Sequence, residues 1–291
     1  MMVGMLLGRA LGAQLVPGRD LLSFPLGLTA EAPALGTSGG FGFWNPASAA
    51  VPAGSRLRIA VGTMSAPVDL AVNAQLATVG ARWANGTTLA VSVASAAVTD
   101  LLRTDYDPQS IGDEIPYNTI LLSAIAAREV GPFTVGFATR VRSGHLDNVV
   151  RRAVSTDIGI ISRGFGPRDV RIASSTFLAS PFSHQHERAE ALAAVDMRVA
   201  GTDSLKTSRA GLSASLADGL YRELYGFASG RWGRLEARGG AAYTTAYGHA
   251  NWRARLGIAF HHRGYTIGVA REEAPGSLLA TYQFTLSTLL K

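Results

Sequence analysis

From Ser55 onward, apolar and polar residues alternate with a period of two, the pattern of a strand that shows different environments on its two faces. In the segment from Phe133 to Arg142, Phe133, Val135, Phe137 and Val141 share one face, while Thr134, Gly136, Arg140 and Arg142 share the other. Trp252, Leu256, Ile258 and Phe260 separate in the same way from Arg253, Arg255, Gly257 and His261. Near the end of the chain, Tyr282, Phe284 and Leu286 alternate with Thr281, Gln283, Thr285 and Ser287. The rhythm predicts about fourteen strands, over 55–63, 74–83, 87–98, 117–128, 132–143, 153–163, 169–180, 188–200, 206–217, 220–230, 234–245, 251–262, 264–272 and 277–288.

Strands of about ten residues cross a bilayer when tilted and exceed the usual five or six of soluble sheets. A soluble sandwich with its apolar faces inward is the competing reading of the same alternation. Connection length separates the two, because outer-membrane barrels have short turns at the periplasmic end and longer loops outside. The connections after even strands are short, as at Ala84–Gly86, Glu129–Gly131 and Arg231–Gly233. Those after early odd strands are longer: Met64–Asn73, Thr99–Pro116, Gly144–Arg152 and Ser180–Glu187. The expected fold is therefore all-β, a transmembrane antiparallel barrel of about fourteen strands in the bacterial outer membrane.

The first 54 residues read differently. Met1–Ala13 resembles a secretory signal. Residues 14–54 carry Pro17, Pro25, Pro33, Pro46 and Pro52, which limits helix to a turn or two around Thr29–Ala32. The stretch from Thr37 to Val51 combines Gly39, Gly40 and Gly42 with the bulky Phe41, Phe43 and Trp44, then the turn-forming Asn45-Pro46 and the small Ala47. A barrel of this width is too large for wall side chains alone to fill, and this N-terminal arm is the available plug, with residues 55–291 forming the wall.

Composition agrees with the barrel. Apolar residues make up 47% and charged residues 16%, with mean hydropathy +0.16, as expected when one face of every strand is apolar. The 33 glycines oppose a mainly helical fold, and with no cysteine the chain has neither thiolate chemistry nor disulfides. Net charge is +6 and the pI is 10.0, almost wholly from arginine, since Lys206 and Lys291 are the sole lysines. The arginines are dispersed singly along strands without a basic cluster, which argues against a nucleic-acid partner.

Charge placement gives the candidate site. An arginine facing lipid near midplane would cost about 2–4 kcal/mol. The lumen is thus assigned Arg56, Arg58, Arg140, Arg142, Arg163, Arg209, Arg238, Arg253 and Arg255, with Asp157, Glu190, Asp196 and Glu236. These residues either brace the interior as ion pairs across strands or form a path for anionic amphiphiles. No P-loop, dinucleotide fingerprint, zinc signature or nucleophile elbow is present, so no catalytic residue, metal or cofactor is assigned. His184 and His186 read as solvated loop residues, and a histidine-dependent barrel hydrolase is a minor alternative.

The stretch Ala34-Leu35-Gly36 through Asn45-Pro46-Ala47, followed by about fourteen alternating strands, resembles the outer-membrane fatty-acid transporter (FadL-like) superfamily, particularly its PorV/PorQ-type branch. Val154–Ile161, with Asp157 before Gly159, adds to the likeness. The resemblance implies an N-terminal arm folded inside the barrel as a plug, with Gly36, Gly39, Gly40, Phe41, Phe43, Trp44, Asn45, Pro46 and Ala47 as its motif. It also implies passive transport of hydrophobic or amphipathic small molecules, or else a non-transporting role in which the long loops anchor secreted or envelope proteins. The expected partners are membrane lipid and a hydrophobic or anionic amphipathic ligand.

Overall fold

A computed structural model describes residues 16–24, 26–66, 71–103, 114–179, 189–203, 206–217, 220–245, 250–273 and 280–291. Its strands are β1 (Leu57–Ser65), β2 (Val72–Arg82), β3 (Thr87–Val98), β4 (Tyr117–Val130), β5 (Phe133–Leu146), β6 (Val149–Ser162) and β7 (Arg171–Phe177). They continue as β8 (Glu190–Asp203), β9 (Lys206–Ala217), β10 (Leu220–Trp232), β11 (Leu235–Thr244), β12 (Asn251–His262), β13 (Tyr265–Glu272) and β14 (Thr281–Leu290). Each pairs antiparallel with its sequence neighbours, and β1 pairs with β14 from Leu57↔Leu290 to Ser65↔Tyr282, closing the barrel. Closure leaves no open edge, which is what allows a sheet to sit in lipid.

The alternation places side chains as the sequence suggests. On β5, Val135, Phe137 and Val141 point outward and are exposed, while Ala138, Arg140 and Arg142 point inward and are buried. Leu122, Ile158, Leu212, Ile258 and Val269 extend the exposed apolar surface around the ring. Such a face has lipid as its natural solvent, so the strands cross a membrane, and the barrel is of the bacterial outer-membrane type. Trp83, Trp232 and Tyr265 stand exposed near one end of this band and Trp252 and Tyr282 near the other, the placement of interfacial aromatic girdles.

The two ends differ. Connections after even strands are mostly tight, as at Pro132 between β4 and β5 or Arg263-Gly264 between β12 and β13. This short-turn end carries exposed Arg128, Arg163, Arg168, Lys206, Arg234 and Arg263. At the opposite, long-loop end one expectation fails. Gly144–Arg152 is not a loop: β5 runs to Leu146, β6 starts at Val149, and Asp147-Asn148 turn the chain with Asp147 at φ 53°. The expected signal segment 1–13 and much of the loops 99–116 and 180–187 lie outside the described residues.

Residues 16–52 pack against the inward face of the wall. Pro17 lies beside Gly144 at the long-loop end, and Val51 beside Thr88 near the short-turn end. Three short 3-10 turns, Asp20–Ser23, Pro33–Leu35 and Pro46–Ala49, interrupt an otherwise irregular path. The helical turn expected around Thr29–Ala32 is absent, because Thr29 and Ala30 have φ of 47° and 59° and reverse the chain instead.

Candidate functional site

The inward face is built by the N-terminal segment and the wall together, with Asn45 at the centre of their contact. Its Oδ1 accepts from the Ala47 amide at 2.9 Å, starting the Pro46–Ala49 turn as a cap does. Its Nδ2 donates to the Ala34 carbonyl at 2.8 Å and reaches the Ile160 and Ser174 carbonyls of β6 and β7 at 3.4 Å. There the wall needs outside partners, since β6 and β7 are in register at three residue pairs, Gly159↔Ser175 to Ile161↔Ala173. Elsewhere along this seam Thr176 Oγ1 accepts from the Ile158 amide at 3.0 Å, and Ser162 Oγ from the Ile172 amide at 2.7 Å. The tripeptide Asn45-Pro46-Ala47 is seated on β5 and β6, and the segment joins the wall at residues 53–56.

Close approach explains several small residues. A Cβ at Gly136 would overlap Pro46 and Ala47, and one at Gly159 would overlap the Asn45 carboxamide. Within the segment, a Cβ at Gly39 would come within 2.7 Å of Thr285 Cβ, and one at Gly36 within 2.6 Å of Leu28. The Gly40 amide donates to the Gly27 carbonyl at 2.7 Å, clamping two passes of the segment together. Phe43, Trp44 and the wall residue Phe177 form one aromatic cluster, with ring centroids 4.9–5.5 Å apart. Phe41 lies under the Arg58 guanidinium at 4.2 Å.

The assigned charges divide into groups. Arg140 is fully buried; its Nε lies 2.5 Å from Asp157 Oδ2, and its Nη2 donates to the Phe43 carbonyl at 2.6 Å. Asp157 also accepts from the Ala179 amide at 3.0 Å. Arg142 donates to the Pro17 and Val16 carbonyls at 2.6 and 2.9 Å. Near the short-turn end Asp196 sits between Arg171 and Arg209, and Arg209 also meets Asp169. Arg238 binds Glu236 at 2.8 Å and Glu31 of the segment at 2.9 Å, and Glu236 continues to His261 at 2.9 Å. Toward the long-loop end Arg253 and Arg255 share Glu223 and Glu272, at 2.6–3.0 Å, and Glu190 pairs with Arg222 at 3.5 Å.

Arg56 and Arg163 are corrections: both have the inward parity, yet both are exposed, because Arg56 precedes β1 and Arg163 follows β6, past the point where the wall encloses anything. Arg163 pairs instead with Glu129 at 3.0 Å. Sequence reading missed Glu31, Glu223, Glu272, Arg171 and Tyr225. Glu272 shares the inward parity of Gly268 and Ala270 on β13 and could have been found from it. Glu31 lies in an aperiodic stretch that offers no such signal.

Two cavities flank residues 30–33. One, a small space of about 40 Å³ toward the long-loop end, combines apolar Phe24, Leu28, Pro33, Trp44 and Leu192 with Arg222, Glu223, Arg253 and Arg255. The other, of about 380 Å³ toward the short-turn end, is lined by Ala30, Glu31, Ala32 and Leu35 and by charged Arg171, Asp196, Arg209 and Arg238. Between them Tyr225 Oη donates to the Ala30 carbonyl at 3.0 Å, so the divider is tied to β10 and, through Glu31, to β11. Among the described residues no three ligating side chains gather as a metal site, and His261 contacts Glu236 and Thr266. His184, His186 and His249 lie outside the described residues.

No protein-family model matches the sequence, and a search of curated proteins finds no relative. Among solved structures, the chain is similar to the toluene transporter TbuX of Ralstonia pickettii, with TM-score 0.57 and 11% identity over 91% of this chain and 99% of that one. It also overlays the outer membrane protein Omp33 of Acinetobacter baumannii, with TM-score 0.49 and 7% identity over 81% of this chain and 98% of that one. At 11% identity the likeness to TbuX is one of fold, that of an outer-membrane barrel.

Proposed function

We propose that the chain is an outer-membrane barrel for passive transport of hydrophobic or amphipathic small molecules, of the FadL-like type, in which residues 14–54 plug the lumen. The observation that carries this reading is the pair of cavities separated by residues 30–33. The cavity toward the short-turn end, of about 380 Å³, is of ligand size; once the smaller one widens, a solute with an apolar body and an acidic head would find Phe24, Leu28 and Trp44 for the body and Arg222 and Arg253 for the head. Release of the Tyr225–Ala30 and Arg238–Glu31 contacts would join the two cavities into one route along β8 to β12. The fold likeness to a toluene transporter supports an apolar substrate, and Asn45-Pro46-Ala47 supports the PorV/PorQ-type branch. The test is uptake by proteoliposomes of a small aromatic hydrocarbon and of a long-chain carboxylate, against empty vesicles. Uptake above the empty vesicles is expected. Uptake of both probes no faster than by empty vesicles would overturn transport and favour a non-transporting anchor for envelope proteins.

A further inference from the structure

The exposed charge of this barrel is sorted by end. Among the described residues of the short-turn end the bases outnumber the carboxylates: Glu129 and Asp169 are half-buried and face Arg163 and Arg209, and Asp203 stands opposite Lys206 in the register of β8 and β9. At the long-loop end exposed signs mix, with Asp20, Asp100 and Glu273 near Arg103, Arg152 and Arg271. The excess positive charge of the chain is therefore displayed at the end that faces the periplasm in barrels of this type.

One part of that end is a formed groove, at the seam where β14, β1 and β2 meet. Leu57, Ala81 and Trp83 line it from the lipid-facing side, and Arg56, Arg82 and Lys291 from the rim. Arg56 is held in place by its backbone, donating from its amide to the Leu290 carbonyl and accepting from the Arg82 amide, both at 2.8 Å. Its side chain has no hydrogen bond or ion pair among the described residues, whereas Arg82 donates to the Val51 carbonyl at 2.6 Å. Trp83, at 53% exposure, stands beside it at the level of the aromatic girdle. An exposed cation, an interfacial indole and an apolar wall thus meet in one groove at the rim.

We infer that this groove binds the anionic headgroup of a phospholipid in the periplasmic leaflet, with the Arg56 guanidinium on the phosphodiester and Trp83 beside it among the headgroups. Arginine presents a planar fork that matches phosphate oxygens, and tryptophan prefers the headgroup region. The exposed bases of the other short turns draw further anionic lipid to the same leaflet by the longer-range, salt-screened attraction that basic segments feel near a charged surface. The inference rests on the membrane orientation of the barrel and is independent of transport.

The experiment uses the full chain in micelles or nanodiscs holding equal phosphatidylglycerol and phosphatidylcholine of the same acyl chains, with retained lipid counted by native mass spectrometry. The unaltered protein is expected to retain phosphatidylglycerol preferentially. Arg56→Gln should lower that preference roughly fivefold, Arg56→Lys should largely preserve it, and Arg152→Gln at the other end should leave it unchanged. Heat-modifiable migration on gels verifies that each variant is folded. Equal retention of the two lipids by the unaltered protein would overturn the inference and assign the basic end to an acidic periplasmic protein. A preference unchanged in Arg56→Gln would equally overturn the groove.

Discussion

Arg140 on β5 and Asp157 on β6 face each other with Nε 2.5 Å from Oδ2, and neither side chain is exposed. Each also holds a backbone group outside its own strand: Arg140 the Phe43 carbonyl of the N-terminal segment, Asp157 the Ala179 amide beyond β7. The pair therefore couples segment, wall and loop. Removing one partner strands the other charge where nothing replaces it, at a cost of about 3–5 kcal/mol. Asp157→Ala is expected to lower the urea midpoint of the barrel accordingly, while Arg140→Leu with Asp157→Leu should cost clearly less. Equal losses in the single and double variants would show that the charges do not act as a pair.

Gly159 gives a sharper test of how closely segment and wall fit. A methyl group there would overlap the Asn45 carboxamide, which also serves the poorly laddered seam between β6 and β7. Overpacking of this kind typically costs about 1–3 kcal/mol. Gly159→Ala should expose residues 16–52 to protease in folded barrels, whereas Gly54→Ala, where the added atom would have open space but φ is 89°, should act only locally. Limited proteolysis followed by mass spectrometry separates the two outcomes, and an unchanged cleavage pattern in Gly159→Ala would contradict the fit.

What could be read from the sequence follows from what is local. Period-two alternation acts within a strand, so the inward set of β5 and β12, Arg140, Arg142, Arg253 and Arg255 among it, was legible without any knowledge of partners. Parity alone cannot say where a wall ends, which is why Arg56 and Arg163 were assigned to a lumen they only border. Gly144 looked like the start of a loop because glycine so often is; in the structure it is a strand residue whose missing side chain admits Pro17. Which carboxylate meets which arginine depends on the register of several strands at once. The sharing of Glu223 between Arg253 and Arg255, and the reach of Glu31 to Arg238, therefore had no sequence signal.

The membrane assignment makes its own prediction. Ile258 points outward from the middle of β12 with 61% of its surface exposed, so arginine there would meet lipid. Ile258→Arg should destabilise the barrel by about 2–4 kcal/mol in a bilayer. Leu235→Arg, exposed at the short-turn end of β11, should cost less than about 1 kcal/mol, because depth sets the penalty. Denaturant titration of both variants folded into vesicles measures the difference, and equal costs would remove the depth dependence on which the bilayer placement rests.

The proposed route can be closed chemically, because the chain has no cysteine of its own to interfere. A Cβ built on Gly257 lies 3.1 Å from Ala30 Cβ, close to the Cβ separation of a disulfide, which needs about 3.5–4.5 Å. The added Cβ also falls 2.7 Å from the Thr29 carbonyl oxygen, so the backbone at Thr29 and Ala30 must shift, and that shift supplies the remainder. Ala30→Cys with Gly257→Cys therefore ties the divider between the two cavities to β12, two strands along the wall from the natural Tyr225 contact on β10. If the divider must move for solute to pass, oxidised double variant in proteoliposomes should lose uptake by about tenfold or more, since even 1.4 kcal/mol withheld from the open state is a tenfold loss. Reduction should restore uptake to the level of the Gly257→Cys single variant, whose Cβ by itself displaces the Thr29 backbone, and neither single variant should respond to oxidation. Uptake that persists unchanged in the oxidised protein would mean that solute passes without movement of residues 30–33, and gating by this segment would have to be abandoned even if transport itself stands.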